Sequence, residues 1–279
     1  MGEARQKQYS RQEFLREHPL CCYCGDTATT TDHCPPRSCF IQRTWPEGYE
    51  FPCCESCNAR GRRDEQIVAI LTRISFTKDF GPTARMEWEK LFRGLRNNQP
   101  QVADEWMSIG PSQMKRDFRS KYGNLGDRMR IDGYGAIRLG PLTRSAMHGF
   151  STKLGQALYY MHCKEILEGE VISRHIDAST LKENDEAWLN LLQMAPWFAA
   201  MQRGNKSLTE QFSYRFNASI DLGVTYALVR FSDQVNFQII AVRRSIADQL
   251  TRLNSSGNEH APSPAVQIVL KPRPARGDA

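Results

Sequence analysis

The hydrophobic and polar positions change period along this chain, and each change marks an element. Ser10-Arg11-Gln12-Glu13 has capping-box spacing and predicts a short helix through His18, with Pro19 after its end. Thr27 to Asp32 is rich in β-forming residues and predicts a strand ending at Asp32-His33. Cys34-Pro35-Pro36-Arg37 breaks that strand, because proline has no N–H to donate. Residues 40–53, with Trp45, Pro46, Gly48 and Pro52, read as an irregular loop. A helix is expected from Cys54 and breaks near Gly61. A second is expected over 64–75, where Ile67, Ile70, Leu71 and Ile74 recur at helical spacing.

Further along, Met86, Trp88, Leu91, Phe92 and Leu95 predict a helix over 83–96, ended by Asn97-Asn98-Gln99-Pro100. Another is expected over 112–121 with Ser112 as its cap. Arg128 to Leu139 alternates around Gly133 and Gly135, which predicts a hairpin. Pro141 suits the first position of a long helix over 142–168, and a further helix is expected over 184–194. From 211 to 243 the period shortens to two, and three antiparallel strands are expected. Trp88, Trp106, Trp188 and Trp197 read most simply as core. The tail from Asn254 is rich in Ser, Gly and Pro and reads as a flexible segment, with one short strand at Val266–Leu270. The resulting division is 1–76, 77–253 and the tail 254–279, in an α+β chain.

Composition narrows the classes. A chain of 279 residues, 40% of them hydrophobic, holds enough apolar surface for one large domain or two smaller ones. No apolar run is long enough to span a membrane, and the polar start Met1-Gly2-Glu3-Ala4-Arg5 has no secretory apolar region. A cytoplasmic protein without a membrane partner is expected. The net charge of +6 is uneven. Residues 1–66 hold 9 Lys and Arg against 10 Asp and Glu, whereas residues 67–130 hold 12 against 7. That excess suits a polyanionic partner.

Eight of the nine cysteines lie between Cys21 and Cys57. Tight C-x-x-C pairs of this kind point to metal rather than to disulfides. Cys21 and Cys24 with Cys54 and Cys57 have the spacing of a structural zinc site of four thiolates. Cys22 and Cys53 read as packed neighbours, and Cys34 and Cys39 as small apolar fillers. Between the pairs stands Asp32-His33, and Asn58 follows the second pair directly. A carboxylate, an imidazole and an amide oxygen are suited to binding one hard cation and activating one water. Adjacent strand residues point to opposite sides, so Asp32 and His33 converge only if the strand bends after His33.

Cys21-x-x-Cys24-Gly25, then Asp32-His33-Cys34-Pro35-Pro36, then Cys54-x-x-Cys57-Asn58 together resemble the zinc-bearing HNH endonucleases, over about residues 20–66. The resemblance implies an N-terminal zinc-stabilised ββα-metal module, followed here by a helical segment and a C-terminal region with an antiparallel sheet. It implies that Asp32 and Asn58 hold a magnesium or manganese ion and that His33 is the general base. DNA would be the substrate, and one site per monomer would give a nick. Small HNH proteins of this kind are often found in phage-defence systems of several components, which implies protein partners as well. The chain departs from the family in one respect. No asparagine lies in 34–53, where many members carry one that orients the base, and Gln42 is the only amide side chain there.

Arg37, Arg60, Arg62 and Arg63 flank the module as candidate phosphate contacts. Lys115, Arg116 and Arg119, interleaved with Phe118 and Tyr122, form a second basic stretch. A solvated helix end and an ordinary amphipathic helix are the competing readings. Two rival functions stand beside the nuclease. One is a catalytically idle zinc module that binds nucleic acid or a protein. The other is an effector kept inactive by a partner through the large C-terminal region.

Overall fold

The structure is a computed structural model and describes residues 3–74, 81–131, 135–176, 186–231, 235–248 and 267–270. Helix α1 (Glu3–Glu17) leads to a short antiparallel ribbon of β1 (Thr30–His33) and β2 (Glu50–Cys53). The register pairs Thr31 with Pro52 and His33 with Glu50. Pro52 is tolerated because each strand of a two-stranded ribbon has a free edge. The stretch read as irregular from residue 40 therefore ends in a strand. Short helix α2 (Glu55–Arg60) follows, and at Gly61 the chain turns into α3 (Arg62–Leu71).

Three more helices, α4 (Gly81–Asn98), α5 (Pro100–Met107) and α6 (Pro111–Tyr122), lead to α7 (Asn124–Ile131) and β3 (Gly135–Arg138). Gly110 caps α6, not Ser112, because Pro111 takes its first turn. The hairpin expected at 128–139 does not form. Its first half is the end of α7, and β3 pairs instead with β11 (Gln267–Leu270) from the tail. The remainder of the tail outside 267–270 lies beyond the described residues.

Long helix α8 (Pro141–Cys163) ends where Lys164 takes the left-handed conformation, φ 59°. Beyond it run β4 (Gly169–Ile176), α9 (Glu186–Met194), β5 (Trp197–Ala199), the hairpin β6 (Gln202–Arg203) and β7 (Lys206–Ser207), then β8 (Ser213–Ser219), β9 (Val224–Phe231) and β10 (Val235–Arg243). The three strands expected over 211–243 form the centre of a five-stranded antiparallel sheet, ordered β4-β10-β9-β8-β5. Trp197 lies on the edge strand β5 and is 64% exposed, so it is not a core residue. No described helix is long and apolar enough to cross a membrane.

Helix α8 lies on this sheet, and Gly155 allows the close approach. A Cβ there would sit 2.6 Å from Val171 Cγ1 and 2.7 Å from Ile239 Cγ2. The opposite side of α8 packs on α3. One continuous apolar cluster consequently runs from Phe40 and Phe51, through Ile67, Ile70 and Leu71, to Leu154, Phe212 and Phe231. The cysteine-bearing ribbon and the sheet share a single core.

Candidate functional site

The four cysteines predicted to hold zinc come together. The Sγ atoms of Cys21, Cys24, Cys54 and Cys57 all lie within 4.8 Å of one another. Cys24 and Cys54 are 3.7 Å apart. A zinc tetrahedron with bonds of about 2.3 Å has sulfur–sulfur edges of about 3.8 Å, so the donor set fits that ion. No other group of three or more His, Cys, Asp and Glu side chains meets this geometry among the described residues. Donors to sulfur surround the cluster. The Cys57 N–H points at Cys54 Sγ (3.5 Å), Ser56 Oγ lies 3.1 Å from the same sulfur, and Arg60 Nη2 donates to Cys57 Sγ (3.3 Å).

The extra cysteines divide into two kinds. Cys53 is buried and its Sγ donates to Cys54 O (3.2 Å), while the neighbouring Cys21 and burial push its thiol up. Cys53 thus lies beside the cluster, bonded to the backbone that carries Cys54. Cys22, Cys34 and Cys39 are buried, and desolvation pushes each thiol up, which keeps it neutral.

Asp32 and His33 leave the ribbon on different sides. Asp32 is 6% exposed. Its Oδ2 accepts from Tyr23 Oη at 2.8 Å and lies 2.8 Å from Lys153 Nζ on α8. The same ammonium is 2.6 Å from Glu65 Oε1 on α3. Burial works to lower the Lys153 pKa but is outweighed by the two carboxylates, which raise it. Burial also raises Glu65, with partial relief from Lys153. Arg60, Asp64, Glu65 and Lys153 line a cleft of about 370 Å³ between α2, α3 and α8. In this arrangement Asp32 Oδ2 is paired with the Lys153 ammonium. Asn58 is half-buried in α2, its N–H closing on Cys54 O.

His33 faces a second neighbourhood. Its Nε2 is 2.8 Å from Glu50 Oε1, directly across the ribbon, and 2.6 Å from Arg37 Nη2. One ring nitrogen cannot both donate to Glu50 and accept from Arg37. The Glu50 carboxyl is held below its usual range, first by the hydrogen bond with His33, and this favours Nε2–H donating to an ionised Glu50. Trp45 meets the His33 ring edge-on, with centroids 5.0 Å apart. The Arg37 guanidinium lies 3.7 Å from the Trp45 ring centre and that of Arg203 lies 3.8 Å from it.

The remaining candidates are separated from this centre or only beside it. Arg60, Arg62 and Arg63 are exposed around the start of α3. Lys115, Arg116 and Arg119 are exposed on α6, where Arg116 donates to Gln113 and Arg119 pairs with Asp127, while Phe118 is buried. Sequence reasoning missed Glu50, Lys153 and Arg203. Only Glu50 carried a local signal, as the residue that would pair with His33 once β2 is recognised.

No family model, no curated protein and no solved structure matched this chain.

Proposed function

We propose that this protein is a zinc-anchored, HNH-type phosphodiester hydrolase acting on nucleic acid, with His33 as the general base. The observation that carries this reading is the pairing of His33 with Glu50 on a ribbon clamped beside a four-cysteine cluster. A carboxylate bonded to one imidazole nitrogen orients the ring and supports the charge it gains on taking a proton. Glu50 thus supplies the orienting role for which the chain has no asparagine. The cysteine cluster holds zinc structurally and takes no part in the reaction. Arg37, beside His33, is placed to receive phosphate charge. DNA is the substrate favoured by the resemblance to HNH endonucleases, with nicking as the expected product.

A second reading has its own support. The Lys153 ammonium neutralises Asp32, as expected of a module that binds without cutting. Cleavage of supercoiled plasmid with magnesium, then manganese, separates the two. Open circles produced by the wild type and not by His33→Ala establish the hydrolase. No conversion by either protein, with either ion, leaves the binding module. The association with phage defence and with protein partners belongs to the same proposal and is tested by co-purification with neighbouring gene products.

A further inference from the structure

Trp45 separates two arginines that come from distant parts of the chain. Two guanidinium groups at 3.7 and 3.8 Å from one ring centre cannot share a face, so Arg37 and Arg203 cover opposite faces. Arg203 belongs to the β6–β7 hairpin, which is tied to the loop before β2. Arg203 Nη1 donates to Trp45 O (3.3 Å), Gly204 N–H to Glu47 Oε1 (3.0 Å) and Glu47 N–H to Gln202 O (3.1 Å). A third arginine, Arg43, is exposed nearby and follows Gln42 in a pair of left-handed residues, φ 56° and 54°. That conformation costs about 1–2 kcal/mol per residue and marks a loop shaped by its surroundings. Those surroundings are Arg73, which donates to Ser38 O and Phe40 O, and Glu87, which accepts from the Gln42 N–H. Three carboxylates stand around the three guanidinium groups: Glu50 lies 4.0 Å from Arg37 Nη2, whereas Glu47 and Glu87 accept from the backbone N–H groups of Gly204 and Gln42. Arg37 Nε is buried with no hydrogen-bond partner. Like charges are crowded here, with donors left over, beside the His33 imidazole.

We propose that Arg203, together with Arg37 and Arg43, grips the phosphodiester backbone of a nucleic-acid strand beside His33. This rests on the nucleic-acid substrate proposed above. The indole ring holds two of the charges apart, which suits successive phosphates of one strand. Both ring faces are covered, so Trp45 is a spacer and offers no face to a base. The grip is independent of base sequence.

The test is anisotropy of a fluorescein-labelled single-stranded DNA oligonucleotide with the full-length protein, without added divalent cation, across a salt series. Arg203→Ala is expected to lower the slope of log K against log salt by about 0.7, and to weaken binding about tenfold at 0.05 M salt, as loss of one phosphate contact does. Arg203→Lys is expected to recover the slope. An unchanged slope and affinity in Arg203→Ala overturns the proposal, as does absence of wild-type binding at low salt. An equal loss in Arg203→Lys, with a lower melting temperature, assigns Arg203 to holding the hairpin and overturns it too. Plasmid nicking tests the hydrolase separately. His33-dependent nicking with an unchanged slope removes the grip alone, and a reduced slope without nicking removes the hydrolase alone.

Discussion

The two faces of the β1–β2 ribbon are built on opposite electrostatic terms. On the Asp32 face a buried ammonium is shared by two carboxylates from different elements, and a tyrosine hydroxyl completes the set. On the His33 face the groups are partly open to water, two guanidinium groups flank one indole, and the Glu50 carboxylate is taken by His33. Matched charge out of water is a fastening, because taking away one partner leaves the other stranded. Unmatched charge at the surface stores little folding energy and is available to an anion. The contrast teaches that adjacent residues of one motif need not share a task. Asp32 ties the ribbon to α8, and His33 faces Glu50, Arg37 and Trp45.

Several changes bear on this contrast. The largest effect is expected from removing what both faces depend on. Cys54→Ser should abolish stoichiometric zinc by elemental analysis and unfold the ribbon, since structural zinc contributes about 10–16 kcal/mol of apparent binding energy in small zinc folds. Next comes Lys153→Met, which leaves Asp32 and Glu65 buried without a cation. It should cost about 3–5 kcal/mol in denaturant unfolding. Combining it with Asp32→Asn should recover part of that loss, and strict additivity of the two changes would break the fastening account.

A pH series distinguishes the faces by sign. Glu50 has a depressed folded pKa, so its contribution is complete above the ordinary Glu value and is lost as pH falls through the lower folded value. Glu65 is raised, so its protonation is easier in the folded state and acid works in the opposite direction there. Glu50→Gln should therefore flatten the loss of stability on acidification below about pH 4.3, and Glu65→Gln should remove a gain that acid brings just above that value. Thermal unfolding at a series of pH values reads both. The smallest effect is expected from Trp45→Leu, which frees two guanidinium groups. At about 0.5–1 kcal/mol for each exposed cation–π contact, it should lower stability by no more than about 2 kcal/mol.

What could be seen in the sequence was what lies close along the chain. The cysteine pairs, the strand ending at His33 and the alternation of 211–243 depend on neighbours a few residues apart, and the structure forms each of them. The opposite sides taken by Asp32 and His33 follow from strand alternation, and the prolines after His33 do not undo it. Lys153 and Arg203 could not be read in this way. Lys153 meets Glu65 across 88 positions and Arg203 meets Trp45 across 158. Strand β4 was missed because its residues alternate only between exposed and half-buried at the rim of the sheet, and β2 because Pro52 masks a strand. The partner of β3 was misplaced because a local hairpin was the simplest reading, when the pairing strand lies in the tail.

Helix α3 has a practical consequence for anyone who divides the gene. Its residues Ile67 through Leu71 are 2% exposed or less, five in succession, so the C-terminal half of the helix is enclosed on every side. A shortened polypeptide that stops soon after it would carry the cysteine cluster intact yet offer water a greasy cylinder instead of a surface. Such a fragment is expected to accumulate in inclusion bodies, and co-expression with residues 81–248 should return it to the supernatant.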